Sequence, residues 1–376
     1  MTRQNRTNFK KIVQTINDEC QDGRLRYDFH LREGAILRKY FYMKANREIT
    51  PVENEELQIK AKQRISEILS DERVYIPRRF RESSDKLSLY NPKGVLEKAN
   101  ALLLEGDDGA YDLGNRLNDL NGKEWTKFTC SWFIFNALHS DLKEEREFLS
   151  STEDHPATFS PTMIEGFINF FTKEGMNVFD PFTGIGSTLV AAARTKRNGF
   201  GIELNPKYFA IAKSRVPDFE DHIKNASCED ILEFDLPMQD FCISSPPYWD
   251  VLNRSTKDFE NSRKSKGLDS TYSTEDDDLG NIADYDEFVE RLCNVYESIY
   301  TIMKPGSYTV IILKNVKKEG TLYPLAWDVA RKLSKLYVLK DEKIWIQDKI
   351  GLAPYGYPYS WVSNILHHYC LILQKK

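Results

Sequence analysis

The sequence predicts a wound α/β fold, in which a mostly parallel sheet carries helices. From about residue 155, short apolar runs alternate with helical stretches, as they do in successive βαβ units. A glycine-containing turn at residues 180–186 lies between a strand and a helix of this pattern. Residues 1–150 show helical spacing instead. We therefore expect a mainly helical N-terminal region, followed by an α/β domain over residues 151–376.

The clearest element expected in the N-terminal region is a helix. Residues 51–56 have the composition of a helix start, and residues 57–70 continue with apolar side chains at helical spacing. Residues 78–81 form a basic cluster around one aromatic side chain, which we interpret as a solvated surface turn.

The elements of the α/β domain follow in chain order. Strands are expected at 178–179, 199–203, 241–243, 308–313, 344–347 and 369–373, and helices at 187–196, 206–214, 285–303 and 326–336. Residues 253–284 interrupt this pattern. They hold few large apolar side chains, and basic residues precede an acidic run, so we predict a mobile loop there.

Composition narrows the class of protein. The chain is 41% hydrophobic and 29% charged, and it contains no apolar run of membrane-spanning length. It starts with polar residues that lead into no signal-peptide core, and its six cysteines form no CxxC pair. We expect a soluble cytoplasmic protein with neither a metal site nor a disulfide framework.

The charge is unevenly distributed along the chain. The net charge is −5, but residues 1–100 hold 21 Lys and Arg against 15 Asp and Glu, a balance of +6, which leaves −11 for the remainder. The basic part would suit phosphate contacts, and ordinary surface charge is the alternative interpretation.

The glycine turn has the features of a nucleoside site. Its glycines let the backbone approach a ligand closely, at the carboxyl ends of the strands. Glu203 ends the next strand, where it would accept hydrogen bonds from ribose hydroxyls, and Asp230 follows the strand after that, where it would hold an adenine amino group. The turn lacks the full motifs of a dinucleotide site and of a phosphate loop, so it indicates S-adenosylmethionine. Taken singly, Asp180 could be a helix cap and Glu203 a surface carboxylate.

A second turn, residues 244–249, follows a buried strand and contains two prolines. The prolines fix the backbone and remove two donors, so the turn offers acceptors to an amino group. If the Ser245 hydroxyl and the Pro246 carbonyl held the two N–H bonds of a base, its nitrogen lone pair would be free to attack a methyl group in line. Tyr248 would stack on that base, which must first leave the duplex. Alone, the motif would more simply be a rigid surface turn.

Together these residues resemble the amino-methylating (cytosine-N4 and adenine-N6) DNA methyltransferases of restriction-modification systems. Residues 180–186 resemble the D-P-F-x-G-x-G cofactor motif of that family, and residues 245–248 resemble its [D/N/S]-P-P-[Y/F/W] catalytic motif. Residues 155–159 resemble the segment beside the methionine part of the cofactor, and residues 344–346 and 367–373 resemble the last β-hairpin. Ile185 departs from the family, which often has Ser at that position.

The resemblance implies a Rossmann-like methyltransferase fold, with a mostly parallel seven-stranded sheet and a C-terminal β-hairpin. It also implies S-adenosylmethionine as cofactor, double-stranded DNA as substrate, a cognate restriction endonuclease as a candidate partner, and a monomer or homodimer. The expected cofactor-binding residues are His155, Pro156, Asp180, Pro181, Phe182, Thr183, Gly184, Gly186, Ser187, Thr188, Glu203 and Asp230. The expected catalytic residues are Ser245, Pro246, Pro247 and Tyr248, and the expected substrate-binding residues are Trp249, Arg254 and Lys257.

The first residue of the catalytic motif distinguishes the target bases within that family. Ser at this position is associated with cytosine-N4, and Asp or Asn with adenine-N6, so Ser245 predicts cytosine-N4. Only 59 positions separate Gly186 from Ser245, too few for a recognition domain, so we assign target recognition to residues 1–150 and the loop at 253–284. An RNA base methyltransferase and a non-catalytic nucleic-acid-binding module remain the alternatives.

Two interpretations of residues 115–133 remain open. The polar residues that precede Trp125 could contact DNA. The aromatic spacing of Trp125, Trp132 and Phe133 favours a helix that docks the N-terminal region onto the α/β domain.

Overall fold

The structure is a computed structural model, and it describes residues 88–90, 103–106, 109–112, 115–136, 159–249, 278–348 and 351–376. The chain divides into two compact units, residues 1–127 and residues 128–376. The helix predicted at residues 57–70 and the basic cluster at residues 78–81 lie outside the described residues.

The first unit contains a small antiparallel sheet. Its strands follow one another in the order β1 (Ser88–Tyr90), β2 (Leu103–Gly106) and β3 (Gly109–Asp112). Helix α1 (Gly122–Phe128) begins with a capping box, because Asn121 Oδ1 accepts the N–H groups of Lys123 and Glu124 while Glu124 Oε2 accepts that of Asn121. Where this region is described, three strands therefore accompany one helix, and most of residues 1–150, which were predicted to be mainly helical, lie outside the described residues. Strands this short show too little alternation for a sequence pattern to reveal them.

The second unit is built on an eight-stranded sheet with the order β4-β12-β13-β9-β8-β5-β6-β7. Its strands are β4 (Trp132–Asn136), β5 (Asn177–Asp180), β6 (Asn198–Glu203), β7 (Ile223–Asn225), β8 (Gln239–Ser244), β9 (Met303–Leu313), β12 (Val338–Asp348) and β13 (His367–Gln374). A separate two-stranded hairpin, β10 (Val316–Lys318) and β11 (Thr321–Tyr323), follows β9 along the chain. Strand β13 is antiparallel to both of its neighbours, and every other pair is parallel.

The prediction of seven strands was wrong by one. Strand β4 pairs in parallel with β12, so that Trp132 lies opposite Ile344. The sequence had favoured a docking helix for Trp132 and Phe133. The run from Trp132 to Asn136 instead occupies the open edge of β12, where backbone hydrogen bonds were available.

The described residues of the second unit also form five helices and three 3-10 turns. They are α2 (Pro161–Phe171), α3 (Ser187–Arg194), α4 (Pro206–Arg215), α5 (Tyr285–Ile302) and α6 (Leu325–Leu333), with 3-10 turns at Pro217–His222, Cys228–Glu233 and Leu279–Asn281. Helix α2 packs against α3, and α5 packs against α6. Apolar side chains of α5 and α6 join those of the sheet in the largest buried core cluster. None of the helices in the described ranges is long and apolar enough to cross a membrane.

The predicted loop at residues 253–284 is only partly described. Residues 278–284 belong to the ordered core, since Asp278, Leu279 and Gly280 are buried and Asp284 caps α5 by accepting the N–H of Glu287. Residues 253–277 lie outside the described part of the chain.

The order of the sheet contains one switch point. Strand β5 lies between β6 on one side and β8 on the other, so successive parallel strands are added in opposite directions. Ligands of open α/β sheets bind at the carboxyl ends of the strands where this reversal occurs. The fold therefore locates the candidate site at the ends of β5 and β8.

Candidate active site

The two predicted turns come together in one pocket. Strands β5 and β8 are parallel neighbours, with Val178 opposite Phe241 and Phe179 opposite Cys242, so Asp180 and Ser244 end them at the same edge of the sheet. The predicted residues that line the pocket are Asp180, Pro181, Phe182, Thr183, Gly184, Ser187, Thr188, Glu203, Ser245, Pro247 and Tyr248.

Hydrogen bonds to Asp180 fix the glycine turn. Its Oδ1 accepts the N–H of Phe182 at 2.9 Å, and its Oδ2 accepts the Thr188 hydroxyl at 2.5 Å. Gly186 begins α3 with a φ of 88°, and an added Cβ would lie 3.2 Å from Ala212. This position therefore requires glycine for both its backbone conformation and its close packing on α4. Ile185, the departure from the family motif, is buried against Tyr208 of the same helix.

Glu203 ties strand β6 to the glycine turn. Its Oε2 accepts the N–H of Gly184 at 2.7 Å, and its Oε1 accepts the N–H of Asn205 at 2.8 Å. Both carboxylate oxygens keep further lone pairs for a ligand, since an ionised carboxylate has about four acceptor positions.

Burial controls the ionisation of the two carboxyl groups. Desolvation raises the pKa of Glu203 to about 7 and that of Asp180 to about 6, although hydrogen bonds to each oppose the shift. The nearby carboxylates of Asp180 and Asp278 raise the pKa of Glu203 further. Among the described residues that line the pocket there is no Lys or Arg. The pocket is therefore rich in acceptors and negative charge.

The proline turn is held from inside the protein. Ser245 Oγ lies 2.9 Å from Tyr248 Oη, and Ser244 Oγ lies 2.7 Å from Tyr296 Oη on α5. The Tyr337 hydroxyl donates in turn to the Tyr296 carbonyl at 2.7 Å. A buried pair of hydroxyl groups, from Ser244 and Tyr296, thus connects the end of β8 to α5.

Aromatic side chains support Tyr248. The ring of His368 on β13 lies 5.7 Å from the ring of Tyr248 and stacks on Trp345 at 4.4 Å. Burial lowers the pKa of His368 to about 3, so its imidazole stays neutral and serves as packing. Phe159, which also lines the pocket, lies 5.5 Å from Trp345.

The structure corrects the predicted role of Trp249. This side chain is buried in the core, with the rings of Tyr323 and Tyr285 at 4.7 and 5.1 Å and the Lys318 ammonium 4.6 Å from its ring centroid. The residue has a positive φ of 53°, so the chain turns inward directly after Tyr248. Trp249 is therefore a packing residue and is not presented to a base.

Three other predicted site residues lie outside the pocket lining. Asp230 does not line the pocket. Strand β7 ends at Asn225, so Ser227 and Cys228 reach the pocket first and Asp230 lies farther along the 3-10 turn. Pro246 is buried, and neither it nor Gly186 is a lining residue. His155, Pro156, Arg254 and Lys257 lie outside the described residues.

Sequence reasoning did not identify Ser227, Cys228 or Asp278 as site residues, although all three line the pocket. Ser227 and Cys228 would have been found by looking directly after the end of β7, but a three-residue strand gives little signal. Asp278 closes a run of acidic residues that was assigned to a mobile loop, and only the fold shows that it is buried.

The side chains of the pocket fit S-adenosylmethionine. The Glu203 carboxylate would accept ribose hydroxyls, Asp180 and Glu203 together favour a cation, and the lining residues offer no basic side chain for a phosphate. Gly184 and Ser187 keep the wall beside these carboxylates free of large side chains.

Comparison with known proteins agrees with this chemistry. The sequence profile of the DNA methylase family matches residues 21–214, a segment that contains the glycine turn and ends before Ser245. The chain is 32% identical over 104 residues to the type II methyltransferase M.BglI of Bacillus subtilis, covering 27% of this chain and 26% of that protein. It is 44% identical over 62 residues to the type II methyltransferase M.Cfr9I of Citrobacter freundii, covering 16% of this chain and 21% of that protein. The aligned segments thus span about a quarter of these relatives.

A solved structure, TrmN from Thermus thermophilus, superimposes with a TM-score of 0.39 and 14% sequence identity, covering 58% of this chain and 50% of that one.

Proposed function

We propose, since the chain belongs to the DNA methylase family, that it transfers a methyl group to the exocyclic amino group of a base in double-stranded DNA. Its cofactor is S-adenosylmethionine, which supplies an activated methyl group when bound. One observation carries the proposal: β5 and β8 end side by side, so Asp180 and Ser245 line the same pocket.

The cofactor would be held by the acceptor-rich half of the pocket. Glu203 offers carboxylate oxygens to the ribose hydroxyls, while its hydrogen bond to Gly184 keeps it in place. Ser227 and Cys228, directly after β7, form the wall of this half. Asp180 fixes the glycine turn and contributes negative charge that favours a cationic ligand.

The base would enter the other half of the pocket, beside Ser245 and Tyr248. A base amino nitrogen is a poor nucleophile because its lone pair is delocalised into the ring. When the Tyr248 hydroxyl donates to Ser245 Oγ, that oxygen keeps a lone pair that can accept an amino N–H. Holding the nitrogen in this way favours a pyramidal geometry and aligns its lone pair with the methyl group. Catalysis then consists of positioning and electrostatics, with no covalent intermediate on the protein.

Cytosine-N4 is the target that Ser245 favours, because Ser begins the catalytic motif in the cytosine-N4 methyltransferases that this chain resembles. Adenine-N6 is the alternative within the same chemistry. The names of the type II relatives support a role in restriction and modification, with a cognate endonuclease as partner.

Expression in a methylation-free bacterial host tests this function. Single-molecule sequencing of the host DNA should reveal methylated cytosines in one sequence context, and the Ser245→Ala variant should strongly reduce the methylated fraction. Methylated adenines in place of methylated cytosines would show that the target is adenine-N6, the alternative within the same chemistry. Unmodified DNA from a host that makes folded, cofactor-binding protein would refute the proposal.

A further inference from the structure

The loop between β12 and β13 presents large aromatic side chains to solvent. We call residues 351–366 the aromatic loop. Its exposed fractions are 81% for Tyr357, 93% for Tyr359 and 90% for Trp361. Three exposed rings within five residues forgo the hydrophobic stabilisation that burial would give. Clusters of exposed aromatic side chains mark interaction sites.

This loop has a defined frame that holds the rings outward. Asn364 forms two hydrogen bonds of 3.0 Å with the backbone of Ala353, and Lys317 Nζ donates to the carbonyl and hydroxyl of Ser363 at 2.6 and 2.8 Å. The Gly356 carbonyl accepts the N–H groups of Tyr359 and Ser360 at 2.7 and 2.8 Å. An added Cβ at Gly356 would lie 2.5 Å from the Ser360 carbonyl, so this turn requires glycine.

The aromatic loop rises from the edge of the sheet where the pocket lies. Strand β12 is antiparallel to β13, which is antiparallel to β9, and β9 is parallel to β8. The carboxyl end of β12 therefore lies at the same edge as those of β5 and β8. The second residue of β13, His368, lies 5.7 Å from the Tyr248 ring, so the base of the loop adjoins the pocket wall.

Charge makes this loop compatible with a polyanion. Residues 351–366 contain no Asp or Glu, and the Lys317 ammonium contacts the loop at Ser363. An aromatic surface without carboxylates meets no repulsion from phosphates, and aromatic rings stack on any base because every base has a π-face.

We propose that Tyr357, Tyr359 and Trp361 stack on DNA bases next to the target and stabilise the opened duplex. The inference rests on the proposed function, because it requires DNA at the pocket. Removing a base from a duplex unstacks its neighbours, and inserted apolar side chains offset that cost in other DNA-bending proteins. The rings are also suited to the task because each has only two side-chain torsions to immobilise.

The test compares side chains that differ only in their ability to stack. Trp361→Leu keeps apolar area but removes the ring, and Trp361→Phe keeps a ring. We expect Trp361→Leu to raise the KM for unmethylated bacterial DNA at least about fivefold, the lower end of base–aromatic stacking effects, with kcat and the KM for S-adenosylmethionine unchanged. Trp361→Phe should retain most of the affinity.

Salt dependence separates stacking from phosphate contact. Each lost phosphate contact reduces the slope of log affinity against log salt, whereas a lost ring shifts the affinity by the same factor at every salt concentration. Two matched controls are Leu352→Ala, 71% exposed on the same loop, and Trp132→Leu, 51% exposed on β4. Both should leave the KM for DNA unchanged.

Failure of this inference differs from failure of the proposed function. If the unaltered chain methylates DNA and Trp361→Leu has the same KM for DNA, the inference is overturned and the function stands. If the unaltered chain binds S-adenosylmethionine but transfers no methyl group to DNA, both are overturned. An equal loss in Leu352→Ala would also contradict stacking, because it would indicate a general apolar contact such as a protein partner makes.

Discussion

Glu203 illustrates how a single residue serves both fold and function. Its carboxylate accepts backbone N–H groups from Gly184 and Asn205, which fixes the glycine turn against β6. The same burial that makes these bonds stable also raises its pKa to about 7. A ligand with hydroxyl donors and positive charge favours the ionised form, so cofactor binding and deprotonation are linked.

The first prediction follows from this linkage. The dissociation constant for S-adenosylmethionine should rise as the pH falls below about 7, by about tenfold per unit for one linked proton, and isothermal titration calorimetry would measure it. In Glu203→Gln the affinity should be weaker, and the transition near pH 7 should disappear. A dissociation constant that stays level from about pH 8 to about pH 5.5 in the unaltered chain would contradict the linkage.

Without cofactor, the same carboxyl group should affect folding in the opposite sense. Its pKa in the folded chain, about 7, lies above the ordinary value of 4.5, so the folded state binds more protons between these values. The contribution of Glu203 to stability is therefore largest below about pH 4.5 and is lost as the pH rises through 7.

The second prediction at the residue scale concerns the role of Ser245 in turnover. Ser245→Ala removes the acceptor that positions the amino group, so kcat should fall on the order of 10²-fold, as on removal of one positioned hydrogen-bonding group at an active site. Cofactor affinity should change less than about twofold, since Ser245 lies in the other half of the pocket. Ser307→Ala is a suitable control, because its exposed hydroxyl donates locally to the Lys304 carbonyl. An equal loss of cofactor affinity and kcat would show that Ser245 acts in binding and not in positioning the base.

At the scale of elements, helix α5 supports the catalytic strand. Tyr296 bonds to Ser244 at the end of β8, and Tyr337 bonds to Tyr296 from the segment after α6. Tyr296→Phe would leave the buried Ser244 hydroxyl without this partner and cost about 1–3 kcal/mol of stability. Urea unfolding measures that loss.

The Tyr296→Phe substitution should also lower turnover, because the hydrogen bond from Tyr296 to Ser244 helps to position the proline turn. We expect kcat to fall while the KM for S-adenosylmethionine is unchanged, and Tyr337→Phe to reproduce the loss of stability with a smaller effect on kcat. A variant Tyr296→Phe with normal stability and kcat would contradict the proposed support.

The elements show what the sequence can and cannot predict. Strand β5, helix α3 and the end of β8 were predicted to within a few residues, because each joins a buried apolar run to a Gly- or Pro-containing turn. No bounds were predicted for strands β4 and β7, because their pairing depends on the edges of distant strands and not on local alternation. The glycine and proline turns could be predicted as one site from motif order, whereas Asp278 and the inward turn at Trp249 depend on tertiary packing alone.

At the scale of the whole molecule, the boundary between the two units, after residue 127, defines where the chain should be truncated to test the role of the N-terminal region. The second unit starts at Phe128, whose ring stacks on Phe170 at 4.3 Å and whose carbonyl accepts a hydrogen bond from Lys343. Lys343 also donates to the Cys130 carbonyl. These contacts place Phe128 and β4 with the α/β sheet.

Deletion of residues 1–127 should therefore preserve cofactor binding while removing DNA sequence choice, which we assign in part to the N-terminal region. Calorimetry with S-adenosylmethionine and sequencing of methylated DNA measure the two properties. A longer deletion through residue 136 should also lower the Tm, because it removes Phe128 and β4. An unchanged methylation pattern in the shorter truncation would show that recognition lies elsewhere.

The central claim is that the glycine turn and the proline turn form one site for methyl transfer to a base amino group. The most direct measurement is to incubate the protein with S-adenosylmethionine labelled in its methyl group and unmethylated DNA, then digest the DNA and identify the labelled nucleoside by mass spectrometry. The account predicts label in N4-methylcytosine, formed on the order of 10²-fold more slowly by Ser245→Ala. Label at cytosine C5, or no label in the DNA, would contradict it.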